Sequence, residues 1–465
     1  MDDKTSQTPE EIEYSNAVSI ILTACVIGIY MIFLVSSENF VFGSVPGNWD
    51  YRYFEIVSTI PQWIPILVGI LLGISIFLGS KFIHSHEKIT LLVCFLILLF
   101  VQILIRKVYP FSLGEIILSR GANSFYAPAT KYSAFDIINN FSELASTFPK
   151  HARTNMPGKI LLFNLFTIFT SSPEIMGHLV MVLSSFGALL LYGVCKQLFH
   201  VRQAAFYALI LYGLIPSKLF FFPILNTVTP VFILLSFYLF LLYIERKQLL
   251  FAWLLGFSFY ILILFEPSPL STGIIFIGVL THAIWKGTFS VKDFWTLVIS
   301  LLLAFICTHI FFYLIFSFNI FQAFEYILID AVNFNQNQLR PYWLWIGENT
   351  KEFFFGVGVP VIVVFIFMTA QFFTRWGNLK NVKRWSLDDV YLISVLITYI
   401  AITFLGVNRG EVTRLWIYLA VFFQIPVSRF IAKISKGEVL FFLIVGVLTI
   451  QTMLTLHRVE FIGLK

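Results

Sequence analysis

Nine polar residues of this chain have types and spacings that could do chemistry at a membrane surface. The densest group is His151, Arg153, Asn155 and Lys159, several donors within nine residues of one another. Arginine offers a bidentate fork and lysine a point charge, so such a cluster suits a phosphate or a sugar; a solvated basic loop is the plainer alternative. Glu115 follows an apolar run, where a carboxylate either stands beside a reacting headgroup or pairs with Arg106, Lys107 or Arg120. Glu266 ends another apolar run, just before Pro267 and Pro269, where the prolines stop a helix and a cap or turn role competes with catalysis. Arg340 stands close to Tyr342, Trp343 and Trp345, either as an anion-binding group or as a side chain snorkelling from an aromatic belt. The sharpest signal lies over 406–418. A helix starting near Gly410 would put Glu411 in its first turn and Arg414 three residues on, along the same face. An arginine one turn into a membrane helix is costly unless it meets an anion, here Glu411 or a lipid phosphate.

The elements that must position these groups are membrane helices. Of 465 residues, 58% are hydrophobic and 12% charged, with a mean hydropathy of +0.86. A soluble domain has about 25% charged residues, and so few polar groups would not cover its surface. The 54 phenylalanines exclude disorder, and the apolar runs are too long for barrel strands. The formal charge of +6 reads as a record of topology, and no nucleic-acid partner is expected. Cys25, Cys94, Cys195 and Cys307 each sit in an apolar run without metal or redox spacing, and read as packing residues.

Windows able to span ~30 Å of hydrocarbon fall near 16–36, 62–79, 88–107, 175–197, 203–217, 227–243, 249–266, 270–286, 293–317, 354–374, 386–406, 412–431 and 437–457. The expected fold is thus all-α, a polytopic membrane helix bundle of about thirteen transmembrane helices, with outer loops carrying interfacial helices. The polar segment 1–13 carries no signal peptide, so the first span is expected to stay as an anchor. With the N-terminus inside, every inner connection is short and basic, the longest being 375–384. Asp388 and Asp389 precede a span on that side, where a helix start accounts for them. The segment 160–170 is too short to span and is expected to be re-entrant or interfacial. The outer segments 106–174 and 319–353 are too long to be connectors and are expected to cover an active site in a single domain, 1–465.

This pattern resembles the GT-C superfamily of polyprenyl-phosphate-sugar-dependent glycosyltransferases, which holds the protein mannosyltransferases and the lipid A aminoarabinose transferase. The likeness is strongest over 149–245. There Thr154-Asn-Met-Pro-Gly-Lys159 and the apolar run after it are similar to the family's His-Pro-Pro-Leu-type segment and juxtamembrane helix. Segments 171–202 and 215–230 resemble its next span and second outer turn, and Arg409-Gly-Glu-Val-Thr-Arg414 a late outer-end motif of some prokaryotic members. Two departures stand out: Glu115 is single and follows the third span, where the family usually has an acidic residue, often paired, after its first; and Asn226 stands where members often carry Asp.

The resemblance implies an inverting hexosyl or pentosyl transfer at the extracytoplasmic face of the cytoplasmic or plasma membrane. The donor would be a polyprenyl-phosphate-linked sugar and the acceptor a lipid, glycan or protein. A carboxylate base is then expected, with Glu115 as the choice, Glu266 as an orienting second carboxylate, and Arg153, Lys159, Arg340 and Arg414 as phosphate donors. No cofactor is fixed by the sequence, and whether a divalent metal takes part is left open. A lipid or small-solute transporter is the alternative reading, and a non-catalytic member of the same fold a third; a flippase calls for ionisable groups near span centres, whereas here they gather at outer ends.

Overall fold

A computed structural model describes residues 14–55, 59–375, 385–435 and 437–464. The segment 1–13 and most of the basic connection 375–384 lie outside the described residues, so the expectations resting on them do too.

A helix lies at every expected window. Ten described helices are long and apolar enough to cross a bilayer, or eleven if the bent pair Tyr342–Val357 and Val359–Thr374 makes one span. The count falls below thirteen because Leu249–Phe265 and Ile417–Ala432 have only 17 and 16 residues, about 25 Å at 1.5 Å per residue against ~30 Å of hydrocarbon. The protein is a multi-pass integral membrane protein with a helical-bundle fold. Two short antiparallel ribbons interrupt the all-α pattern: Gly43–Ser44 with Trp49–Asp50, and Arg52–Tyr53 with Val459–Glu460.

Burial separates the helices into an inner and an outer set. Arg202–Gly213 and Ile417–Ala432 are buried almost throughout, with Phe206, Leu211, Phe422 and Ile425 at 0–1% exposure. Val291–Phe316 buries only Leu297, Ser300 and Ala304 and turns Ile299, Leu303, Ile306 and Ile310 outward, as a helix bathed in lipid does. Cys307 faces outward on this helix, whereas the other three cysteines are buried, so the packing role expected of all four fails for this one.

Contacts between connections define two ends of the bundle. At one end Lys196 and Arg202 meet Glu87, Lys247 meets Asp293, and Lys433 meets Asp388. At the other, the ribbon Arg52–Tyr53 binds the end of the last helix, Trp345 donates to the Gly47 carbonyl, and Arg458 pairs with Glu38. The segment 106–174 folds at this second end as a chain of short helices. Its last, Gly158–Thr167, has 10 residues, about 15 Å, which is half of what a crossing needs. It starts hard against the end of Leu249–Phe265: a Cβ on Gly158 would lie 2.5 Å from the Leu264 carbonyl oxygen.

Candidate functional site

A cavity of about 330 Å³ opens at the second end, where segments near 122–156, 224–226, 266–268, 324–340 and 407–415 converge. One wall is polar and is built by the connection after Leu387–Leu405. Gly406 (φ 60°) and Gly410 (φ 85°) turn this connection through left-handed backbone. A Cβ at Gly410 would also press on Trp345 at 2.9 Å and Arg340 at 3.2 Å. Asn349 clamps the turn on both sides, accepting from the Gly410 amide (3.0 Å) and donating to the Asn408 carbonyl (2.8 Å). Trp416 Nε1 donates to Asn408 Oδ1 (3.1 Å).

This turn presents Glu411 between two arginines. Arg414 Nη2 donates to Glu411 Oε2 (2.5 Å) and Arg340 Nη2 to Oε1 (3.4 Å). Glu411 itself is left-handed (φ 62°) and lies just ahead of the helix Val412–Leu415, not inside its first turn as the sequence suggests. Arg340 is cross-braced with Arg409, each guanidinium donating to the other's carbonyl, and lies over Trp49 (5.1 Å) and Trp345 (5.8 Å). Burial alone would raise the Glu411 pKa, but Arg414, His151 and Arg340 outweigh it and hold the carboxyl below its ordinary value. Arg414 Nε is buried and has no hydrogen-bond partner among the described residues.

The facing wall comes from the earlier loop. Glu266 caps Leu249–Phe265 and is saturated: it accepts from Thr229 Oγ1 (2.6 Å), Ser268 Oγ (2.9 Å) and Asn226 Nδ2 (3.3 Å to each oxygen), and pairs with Lys159 (2.9 Å). Lys159 is buried behind the wall and also donates to Asn155 Oδ1 (3.0 Å). Burial pulls the Lys159 ammonium down in pKa, with Glu266 acting against it. His151 lines the cavity from the four-residue helix Lys150–Arg153, and burial, reinforced by Arg414, pushes its imidazole down to about 4. A third, apolar side is closed by Phe324, Ile327 and Leu328 of the helix Ile320–Asn337.

Six of the nine sequence candidates therefore line one cavity, His151, Asn155, Glu266, Arg340, Glu411 and Arg414, and Lys159 stands behind Glu266. Arg153 does not line it. Glu115 does not either. It is exposed and closes a capping box with Ser112, accepting from the Ser112 amide (2.7 Å) while its own amide donates to Ser112 Oγ (3.2 Å). Those hydrogen bonds, the backbone one foremost, lower its pKa. The expected base is thus engaged outside the cavity, and the spacing Ser112-x-x-Glu115 is itself the capping-box signature. Sequence reasoning passed over Lys150 and Arg409 as lining cations, the clamp Asn349, and Thr229 and Ser268, which fix Glu266; only the nearness of Lys150 and Arg409 to chosen residues signalled any of them.

No group of three or more His, Cys, Asp or Glu side chains able to hold a metal ion stands among the described residues. Both oxygens of Glu266 and of Glu411 are taken up by cationic or neutral donors, a set that does not fit a divalent cation. The chain matches no family model, and no curated protein is similar to it.

Proposed function

We propose that the protein is a glycosyltransferase that moves a sugar from a polyprenyl-phosphate donor to a lipid, glycan or protein acceptor at the extracytoplasmic face of the membrane, where this cavity opens; the basic connections at the other end support that orientation. The observation that carries the reading is the Arg340–Glu411–Arg414 clamp, with an Arg414 Nε unpartnered among the described residues, in the same cavity as an apolar wall. A ligand that is anionic at one end and hydrocarbon at the other matches both walls. A buried guanidinium nitrogen without a partner forgoes a charge-assisted hydrogen bond that a phosphate oxygen would supply.

In the transfer, the acceptor oxygen attacks the anomeric carbon, the bond from that carbon to the phosphate oxygen breaks, and the electron pair leaves with the phosphate. Arg414 takes up the developing charge, with Arg340, Arg409 and Lys150 around it. Glu411 holds Arg414 and Arg340 apart at fixed positions, and Glu266 keeps the facing wall in place. The ionisable groups that line the cavity belong to one end of the bundle, which favours a one-sided site over a transport path.

The test is sugar transfer by the purified protein in nanodiscs, with a panel of polyprenyl-phosphate hexoses and pentoses as donors. Native protein should release polyprenyl phosphate from one of them, and Arg414→Ala should lower turnover by about 10²–10³. If no donor is consumed and solute uptake is lost in Arg414→Ala, the transporter reading takes its place.

A further inference from the structure

A sugar transfer needs a group to receive the acceptor's proton, and the two carboxylates in the cavity are both engaged. Glu266 accepts from four side chains and Glu411 is shared by two arginines. Taking the proton on either would undo ion pairs that hold the walls together. His151 differs from both. It lines the cavity, and among the described residues its ring makes no hydrogen bond; Asn155 Nδ2 (2.8 Å) and Thr154 Oγ1 (3.5 Å) reach only its backbone carbonyl.

We infer that His151 is the general base of the transfer, a catalytic residue in place of a carboxylate; the inference rests on the sugar-transfer reading. The acceptor hydroxyl gives its proton to the unprotonated ring nitrogen as its oxygen bonds to the anomeric carbon. The carbon–oxygen bond to phosphate breaks, and its electron pair leaves on the phosphate oxygen held by Arg414. The imidazolium then passes the proton to water. The charged groups facing the ring are Lys150 on its own helix, Lys159 on the next, and Glu411 and Arg414 on the later connection. The cations and burial keep the free imidazole unprotonated, ready to accept, while Glu411 and the departing phosphate favour the imidazolium once it forms.

The experiment compares native protein with His151→Gln and His151→Ala in nanodiscs, reading farnesyl phosphate binding by tryptophan fluorescence beside turnover of a polyprenyl-phosphate sugar. Both variants should bind farnesyl phosphate within about threefold of native and lose turnover by about 10²–10⁴. Added imidazole should restore turnover in His151→Ala and not in His151→Gln, with the rescued rate rising through the titration of free imidazole. A structural role would not respond in this way. Native turnover with His151→Gln within threefold of it overturns the base assignment and leaves the sugar-transfer reading standing. Lost turnover without imidazole rescue in His151→Ala also overturns it. A native protein that neither binds farnesyl phosphate nor consumes a lipid-linked sugar overturns both.

Discussion

The two ends of the bundle use the same kinds of charged residue in opposite ways. At the basic end the pairs stand in solvent: in Lys196–Glu87 the side chains are 39% and 22% exposed. Around the cavity they are buried: in Lys159–Glu266 the figures are 1% and 8%. An exposed pair gains little, about 0–1 kcal/mol, because water screens it and two side chains must be ordered to make it. A buried pair costs several kcal/mol of desolvation per ion, and its attraction offsets this only with good geometry and further hydrogen bonds. Glu266 has those bonds in Thr229, Ser268 and Asn226. The pairs at the basic end are therefore worth little to the fold, and those around the cavity persist only because further hydrogen bonds hold them.

Breaking the buried pair should have the largest effect. Glu266→Leu leaves Lys159 buried and uncompensated and should destabilise the protein by about 3–5 kcal/mol, seen as a large fall in melting temperature. Adding Lys159→Met should recover most of it, and a double variant as unstable as the single one would contradict the contrast. At Gly410, alanine must adopt a left-handed backbone and press on Trp345; the cost should be about 1–2 kcal/mol, with a larger fall in farnesyl phosphate affinity than in stability. Asp388→Asn at the basic end, where Lys433 and Arg429 are partly exposed, should cost less than about 1 kcal/mol. Glu115→Gln keeps a side chain able to close the capping box and should leave both melting temperature and turnover near native; a collapse of turnover alone would return the base to Glu115.

Acid should act on the two ends unequally as well. The folded pKa of His151, about 4, lies below its unfolded value of about 6.5. The unfolded chain therefore binds the proton first, and this contribution to stability is complete above the unfolded value and is lost as pH falls through the window between the two. Glu411, depressed by Arg414 and Arg340, adds a loss at still lower pH. In His151→Gln the first part of that acid slope should vanish from chemical-denaturation curves, and an unchanged slope would assign it to another group.

The sequence is legible where the physics is local. Apolar runs announce helices because a span must bury its backbone within itself, and each expected window holds one. The pairing of Glu411 with Arg414 follows from three-residue spacing, and Asp389 closes a capping box with Ser386, the helix start expected before that span. What cannot be read is contact across the chain. Lys159 meets Glu266 from more than a hundred residues away, Arg340 meets Glu411 across 71 positions, and Asn349 clamps a turn 61 positions on. Glu115 marks a different limit: its local pattern was open to reading, but a carboxylate near a span end fits a base and a cap equally well until its neighbours are known. The span count misses for a similar reason, since hydropathy alone does not reveal that the run over 354–374 is broken by a 110° bend at Gly358, or that two other helices stop short.

The central claim, that the Arg340–Glu411–Arg414 clamp receives a lipid phosphate, is tested most directly by cryo-electron microscopy of the protein in nanodiscs with saturating decaprenyl phosphate. Density for the phosphate is expected within hydrogen-bond distance of Arg414 Nε, with the hydrocarbon running along Phe324, Ile327 and Leu328. A phosphate found at the basic end, or a clamp left vacant while decaprenyl phosphate is seated elsewhere, would contradict the account.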